Sequence, residues 1–335
     1  VGHKVAVIGT GTWGTAACTL ISQHVDEVCL WARRPQIAES INLTRHNPQH
    51  LPELELPAKV QASSSLQEAL EGASEVVLAV PSAFLRATCE KAAPYVREDL
   101  PILVLTKGIE PGTGLLMVDL VADVFGHVER VAALSGPNHA EEIAQGKISA
   151  AVIAASDQAI AERFQNLFVS PAFRAYASTD LIGVEVCGAA KNVIAIAAGV
   201  TAGMDAGDNT LAVVMTRGLA EIGRLSVACG GDPLTCMGLA GMGDLVVTCT
   251  SRHSRNRTFG EAYAAGETLA EYESRTGMVV EGAQAAISVW ELAHKHGVDM
   301  PITDAVHAVL YEDVLFADVL DGLLGRRPHD EFYGI

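Results

Sequence analysis

The chain has 335 residues, 49% of them hydrophobic and 19% charged, which is length for about two domains and a balance that excludes a disordered chain. Aspartate and glutamate outnumber lysine and arginine 40 to 23, for a formal charge of -17, a field that repels nucleic acid and anionic membranes and leaves anion binding to a local positive cluster. The seven cysteines are odd in number, scattered and without a Cys-x-x-Cys pair, so they read as reduced core thiols and not as a metal site or a disulfide frame.

In chain order, the first half carries eight short apolar runs: "KVAVI" (4–8), "VCLW" (28–31), "KVQA" (59–62), "EVVLAV" (75–80), "PILVL" (101–105), "VAALS" (131–135), "AAVIAA" (150–155) and "FRAYA" (173–177). Helix-length segments separate them, which predicts parallel strands joined by crossover helices in a doubly wound α/β sheet. The first run is strand-like and not a signal peptide, and no apolar run approaches the roughly 20 residues of a membrane span. A soluble, cytoplasmic protein is expected. From about residue 181 the pattern turns to long alanine-rich helical segments. The expected organisation is a Rossmann-like α/β domain over 1–180 and an all-helical substrate-binding and catalytic domain over 181–335.

"GTGTWG" (9–14) follows the first strand and precedes a helix on which Trp13, Ala17 and Leu20 share a face. In that context Gly9 makes the tight turn, Gly11 admits a pyrophosphate and Gly14 lets helix and strand pack, so the motif reads as a dinucleotide seat. The residues that follow the second strand are Arg33 and Arg34, not a carboxylate. Asp26 and Glu27 precede that strand and stand at its wrong end for the ribose. Arginine suits a 2′-phosphate, which favours NADP(H) with NAD(H) possible; a solvated arginine pair at a strand end is the alternative. Lys107 lies just past the fifth strand, on the edge where ligands of open α/β sheets bind.

No tyrosine is followed four residues on by a lysine, and no clustered Cys and His ligands offer a catalytic zinc. Lys191 is the candidate base. The spacing Val184, Cys187, Lys191, Ile194, Ala198 puts it in an apolar stripe of a long helix, where burial disfavours the ammonium and lowers its pKa toward neutrality. Asn192 stands beside it to orient substrate or amine. A lysine that snorkels from the helix edge, or pairs with a carboxylate, fits the same spacing. "GLAGMGDL" (238–245) reads as a loop ending at Asp244, an N-cap and potential hydroxyl contact. "TSRHSRNRT" (250–258) holds Arg252, Arg255 and Arg257 without an acid, and Ser254 can cap a following helix, so the window reads as an anion site.

Together "IGTGTWGTA" (8–16), "WARR" (31–34), "VPS" (80–82), "TKGIE" (106–110), "SGPNHAEEIA" (135–144), "GAAKNVIAIAAG" (188–199), "GLAGMGDLVVTC" (238–249), "SRNRTFG" (254–260) and "VVEG" (279–282) resemble the NAD(P)-dependent glycerol-3-phosphate dehydrogenase family, the bacterial form most nearly. The resemblance implies reversible hydride transfer between sn-glycerol 3-phosphate and dihydroxyacetone phosphate, with Lys191 as proton acceptor. It implies supply of a glycerophospholipid precursor, and a homodimer. By the same analogy Lys107, Gly136, Asn138, Asp244, Ser254, Arg255 and Asn256 hold the substrate. Thr12, Trp13, Arg33, Arg34, Lys107, Ala140, Arg255, Val279 and Glu281 contact the cofactor. One stretch departs from the pattern: after "SGP" the family commonly shows Ser or Thr and then Phe, where this chain has Asn138 and His139, the latter expected as a neutral ring filling the Phe space. A β-hydroxyacid dehydrogenase shares the cofactor fold and a helical lysine but spaces lysine and asparagine a turn apart, whereas Lys191 and Asn192 are adjacent. A non-catalytic NADP(H) sensor is the alternative from another class.

Overall fold

The computed structural model describes residues 2–327, 330, 331, 333 and 334. Eight strands lie on the eight apolar runs: β1 (Lys4–Ile8), β2 (Glu27–Trp31), β3 (Val60–Ser63), β4 (Glu75–Leu78), β5 (Ile102–Val104), β6 (Val131–Ser135), β7 (Ser149–Ala155) and β8 (Phe173–Ser178). They form one sheet in the order β3-β2-β1-β4-β5-β6-β7-β8. Along β1, Val5 and Val7 enter one core cluster while Ala6 and Ile8 enter another. Both faces of the central strands are therefore covered, which is why those strands read as continuous apolar runs, while the edge strands β3 and β8 alternate buried and exposed residues.

The sheet is not parallel throughout. β7 pairs antiparallel with β6 and parallel with β8, so the last two strands run against the first six. The segment 136–148 that joins β6 to β7 contains only the five-residue helix Ala140–Ala144. That is too little helix for the crossover a parallel return requires.

The chain divides into two compact units, one made of the residues through Lys107 with Leu115–Leu181, the other of Gly108–Gly114 with the residues from Ile182 onward. The described residues of the second unit are helical apart from their connections. At its centre is the helix Leu181–Gly203, buried along nearly its whole length and on all sides. It is not the one-faced helix its spacing suggests. It also corrects the reading that no apolar run is long enough to span a membrane. By length and composition both Leu181–Gly203 and the helical stretch Pro233–Thr250 qualify; the first is the core helix of this unit and carries Glu185, Lys191 and Asn192 in its buried length.

All seven cysteines are free, six of them buried. Burial pushes the Cys89 and Cys249 thiols up to about 12 and raises that of Cys18 further, so these thiols are chemically quiet near neutral pH.

One buried carboxylate ties the second unit together. Glu221, on the helix Asp208–Ala228, accepts the backbone N–H groups of Ile302 (2.7 Å) and Thr303 (3.2 Å) at the start of the helix Pro301–Tyr311. It replaces the cap that Met300 cannot supply. Desolvation raises its pKa from 4.5 to about 7 against those hydrogen bonds. A folded-state pKa above the unfolded one means that Glu221 contributes stability below pH 4.5 that is lost as pH rises through about 7, a span worth about 3 kcal/mol. Glu221→Gln, which stays neutral and keeps an acceptor oxygen, is expected to be less stable than wild type near pH 4.5, to lack that slope, and so to close the gap as pH rises past 7. Urea unfolding of both proteins between pH 4.5 and 8 measures it.

Candidate active site

In the first unit the candidate residues collect at the carboxyl ends of β1, β2, β5 and β6, the ligand edge of such a sheet. After β1, Gly9 adopts φ +121 and a Cβ there would stand 2.5 Å from the carbonyl oxygen of Ala79. A Cβ on Gly14 would strike the carbonyl of Gly9, whereas nothing lies within 4 Å of one on Gly11. The three glycines thus do three things: turn, close packing, and an open approach over the N-terminus of the helix Thr12–Ile21, which has no side-chain cap. This cradle fits a dinucleotide pyrophosphate.

Arg33 and Arg34 are exposed after β2, and the Arg34 guanidinium donates to Gln49 Oε1. Asp26 stands at the other end of the strand, its carboxylate accepting the His3 backbone N–H at 2.8 Å. After β5, Lys107 Nζ reaches the Gly136 carbonyl at 3.5 Å. Gly136 has φ +146, and a Cβ there would stand 2.8 Å from Ala151 Cα on β7. Asn138 Oδ1 accepts the Trp13 indole N–H at 3.1 Å. Half-buried His139 then caps the short helix that Ala140 begins, without a side-chain cap bond.

A loop that the sequence reading passed over joins this group. Asn47 is fully buried, its Nδ2 donating to Thr10 O (2.9 Å) and Thr15 Oγ1 (2.8 Å) while its Oδ1 accepts the N–H groups of Gln49 and His50. His50 Nδ1 lies 3.3 Å from Thr12 Oγ1. The Asn-Pro pair at 47–48 was the available cue to a turn.

In the second unit, Lys191 is 6% exposed and donates to the Asp244 carboxylate and, at 2.8 Å, to Thr248 Oγ1. Thr248 Oγ1 also donates to Asp244 O at 2.6 Å. The segment 239–243 is a π-helical turn and not a loop, and Asp244 is the first residue of the helix Asp244–Thr250, not its cap. Of the two readings open from its spacing, a lysine with a lowered pKa and one paired with a carboxylate, the structure places the Asp244 carboxylate against Lys191, and such a neighbour favours the ammonium while burial opposes it.

Beside it, Asn256 Nδ2 donates to Asn192 Oδ1 (2.9 Å) and Asn256 Oδ1 accepts the Gly282 N–H (2.8 Å). Ser254 caps the helix Arg255–Ala264 by accepting the Arg257 N–H at 3.3 Å. Arg255 meets the Val279 carbonyl (3.3 Å) and the Glu281 carboxylate (3.0 Å), which joins three residues assigned to the cofactor. The 250–258 window is therefore not a bare positive cluster. Glu281 faces Arg255, Glu261 faces Arg257 at 2.7 Å, and Arg252 is exposed.

Residues 4–161 match the family model for the NAD-dependent glycerol-3-phosphate dehydrogenase N-terminus, and residues 180–321 match the one for its C-terminus. The chain belongs to that family. It is 49% identical over 335 residues to the glycerol-3-phosphate dehydrogenase (NAD(P)+) of Nocardia farcinica, covering 98% of this chain and 99% of the relative. It is 48% identical over 330 residues to the same-named protein of Corynebacterium aurimucosum, with 98% and 99% covered. Among solved structures, the glycerol-3-phosphate dehydrogenase of Coxiella burnetii matches with TM-score 0.91 at 35% identity, covering 97% of this chain and 99% of that one. This glycerol-3-phosphate dehydrogenase family member is thus an NAD(P)-dependent oxidoreductase with a Rossmann-like N-terminal and a helical C-terminal domain.

Within it the Lys191–Asp244 pair is a stability element as well. Asp244→Asn leaves a buried ammonium without its counter-charge, which is expected to cost about 3 kcal/mol of unfolding free energy. Denaturant titration at neutral pH reads the loss, and Lys191→Met with Asp244→Asn together is expected to recover part of it.

Proposed function

We propose that this enzyme transfers a hydride reversibly between NAD(P)H and dihydroxyacetone phosphate, forming sn-glycerol 3-phosphate. The observation that carries the reading is the buried Lys191 ammonium held by Asp244 and Thr248, with Asn192 next in sequence and tied to the helix that Ser254 caps. A bound nicotinamide supplies or takes the hydride. Lys191 Nζ gives its proton to the carbonyl oxygen in reduction and receives the hydroxyl proton in oxidation. Asp244 stands against the amine as a counter-charge, which favours its protonated form over the neutral one.

In the same reading Gly9, Gly11, Thr12, Trp13 and Gly14 seat the cofactor pyrophosphate, Arg33 and Arg34 its adenosine end, and Lys107, Ala140, Arg255, Val279 and Glu281 complete its contacts. Lys107, Gly136, Asn138, Asp244, Ser254, Arg255 and Asn256 hold the substrate. The product is a glycerophospholipid backbone, and we assign the enzyme to its supply. Seven free cysteines suit a reducing cytoplasm, and a homodimer is the commonest state of such enzymes.

Oxidation of NADPH followed by absorbance is expected with dihydroxyacetone phosphate and not with a panel of 2- and 3-keto acids; turnover with the keto acids alone sinks the assignment. Lys191→Ala is expected to lower kcat by roughly 10²- to 10⁴-fold while NADPH still binds, which separates an enzyme from a cofactor sensor.

The exposed arginines after β2 support a preference for NADP(H) over NAD(H). Replacing Arg33 and Arg34 together by serine is expected to raise KM for NADPH about tenfold or more and to leave KM for NADH within about threefold, as loss of charge-assisted bonds to one phosphate requires. Parallel kinetics with the two reduced cofactors decide it.

A further inference from the structure

Asn138 is 6% exposed and differs from an ordinary buried amide in having one satisfied end. Its oxygen accepts the Trp13 Nε1–H at 3.1 Å. Its Nδ2 is buried without a hydrogen-bond partner. An indole N–H can only donate, so the amide cannot be reversed: Oδ1 must face Trp13 and Nδ2 must face away. A buried donor left unpaired is unfavourable, and folded proteins rarely keep one without a use. This one is kept two residues beyond Gly136, whose carbonyl receives Lys107 Nζ, on the ligand edge of the sheet.

Trp13 is itself immobilised. It lies in the first turn of the helix that follows the glycine turn. Phe168 and Phe173 meet its ring edge-on, at centroid distances of 6.3 Å and 6.4 Å. The indole N–H therefore points in one fixed direction.

We propose that Trp13 is a positioning residue: its indole N–H sets the polarity of the Asn138 amide, so that Nδ2 stands ready as a donor to an oxygen of the phosphorylated three-carbon substrate. The inference rests on the reaction proposed above. It separates two roles of Trp13. The backbone of residue 13 belongs to the cofactor seat, and the side chain acts on the substrate through Asn138. An amide needs such a partner because its donor and acceptor ends are different groups. A serine hydroxyl needs none, because it rotates to donate wherever an acceptor stands.

The test is a cycle of four proteins, wild type, Trp13→Phe, Asn138→Ser and the double variant, assayed with dihydroxyacetone phosphate and NADPH. Phenylalanine keeps the backbone and most of the ring packing but deletes the N–H. In the asparagine background Trp13→Phe is expected to raise KM for dihydroxyacetone phosphate about tenfold, with a smaller change in kcat and in KM for NADPH, the pattern of lost uniform binding. In the serine background the same substitution is expected to change that KM by less than about twofold. Equal factors in the two backgrounds mean that Trp13 only fills space, and overturn the proposal. A change confined to KM for NADPH overturns it as well. Absence of wild-type turnover with dihydroxyacetone phosphate overturns the reaction itself, a result distinct from equal factors.

Should Trp13→Phe fold poorly, Asn138→Asp serves instead, since it keeps an oxygen toward Trp13 and replaces the donor by a second acceptor. It is expected to raise KM for dihydroxyacetone phosphate by more than about 100-fold through repulsion of an anionic substrate. A KM within about threefold of wild type overturns the proposal.

Discussion

A charged lysine in the middle of a buried helix is the constraint around which the second unit is arranged. Alone, the Lys191 ammonium is incompatible with its surroundings, because a buried charge without a partner is more costly than any single packing contact is favourable. The unit answers with a π-helical turn at Leu239–Gly243 that leads straight into Asp244. That wider turn sits where the glycines of "GLAGMGDL" allow it: a Cβ on Gly241 would strike the backbone of Cys236. Thr248, one helical turn after Asp244, closes the arrangement by bonding both Lys191 and the Asp244 carbonyl. π-Turns recur at functional sites because they displace a side chain from the regular helical register, and here the displaced residue is the counter-ion.

The same economy of polar groups governs Asn192 and Asn256. Both are buried, and their amides bond one to the other and onward to Gly282. The helices Arg255–Ala264 and Glu281–His296 are thereby fixed against the central helix at the point where Lys191 is. Close approach makes this feasible, since Gly199 and Gly260 let the backbones of the central helix and of Arg255–Ala264 touch. A side chain at either position would hold the helices apart and break the Asn192–Asn256 bond. Packing and chemistry are in this sense one problem in the second unit.

How much of this was legible in the sequence depends on the range of the interaction. All eight strands were legible, the central ones because a strand covered on both faces reads as a short apolar run, and the edge strands β3 and β8 because they alternate buried and exposed residues. The glycine turn was legible from its strand-to-helix context, and the structure gives each of its glycines a separate steric reason. Lys191 stood out by its spacing alone. Its partner did not, since 53 residues separate it from Asp244 and no local pattern encodes that pairing. The reversal of β7 was missed because the shortness of the helix at Ala140–Ala144 shows only once its ends are known. Glu281 and Glu261 were missed as counter-charges for the arginine window because neither lies inside it. Asn47 was passed over because a buried asparagine in a loop looks, in sequence, like any other turn residue.

The two kinds of positive charge in the chain also do different physical work. Lys191 is neutralised by Asp244 at contact distance and exerts little field beyond its neighbours, so it cannot draw an anion from solution. Arg33 and Arg34 are exposed at the sheet edge, and at physiological ionic strength the bulk of the -17 formal charge is screened beyond about 8 Å. On the reaction proposed above, the groups that draw a phosphorylated ligand and the group that moves a proton are separate: the arginines are exposed and Lys191 is buried against Asp244. In that reading Lys191 can be buried beside its counter-charge without giving up attraction for an anionic ligand.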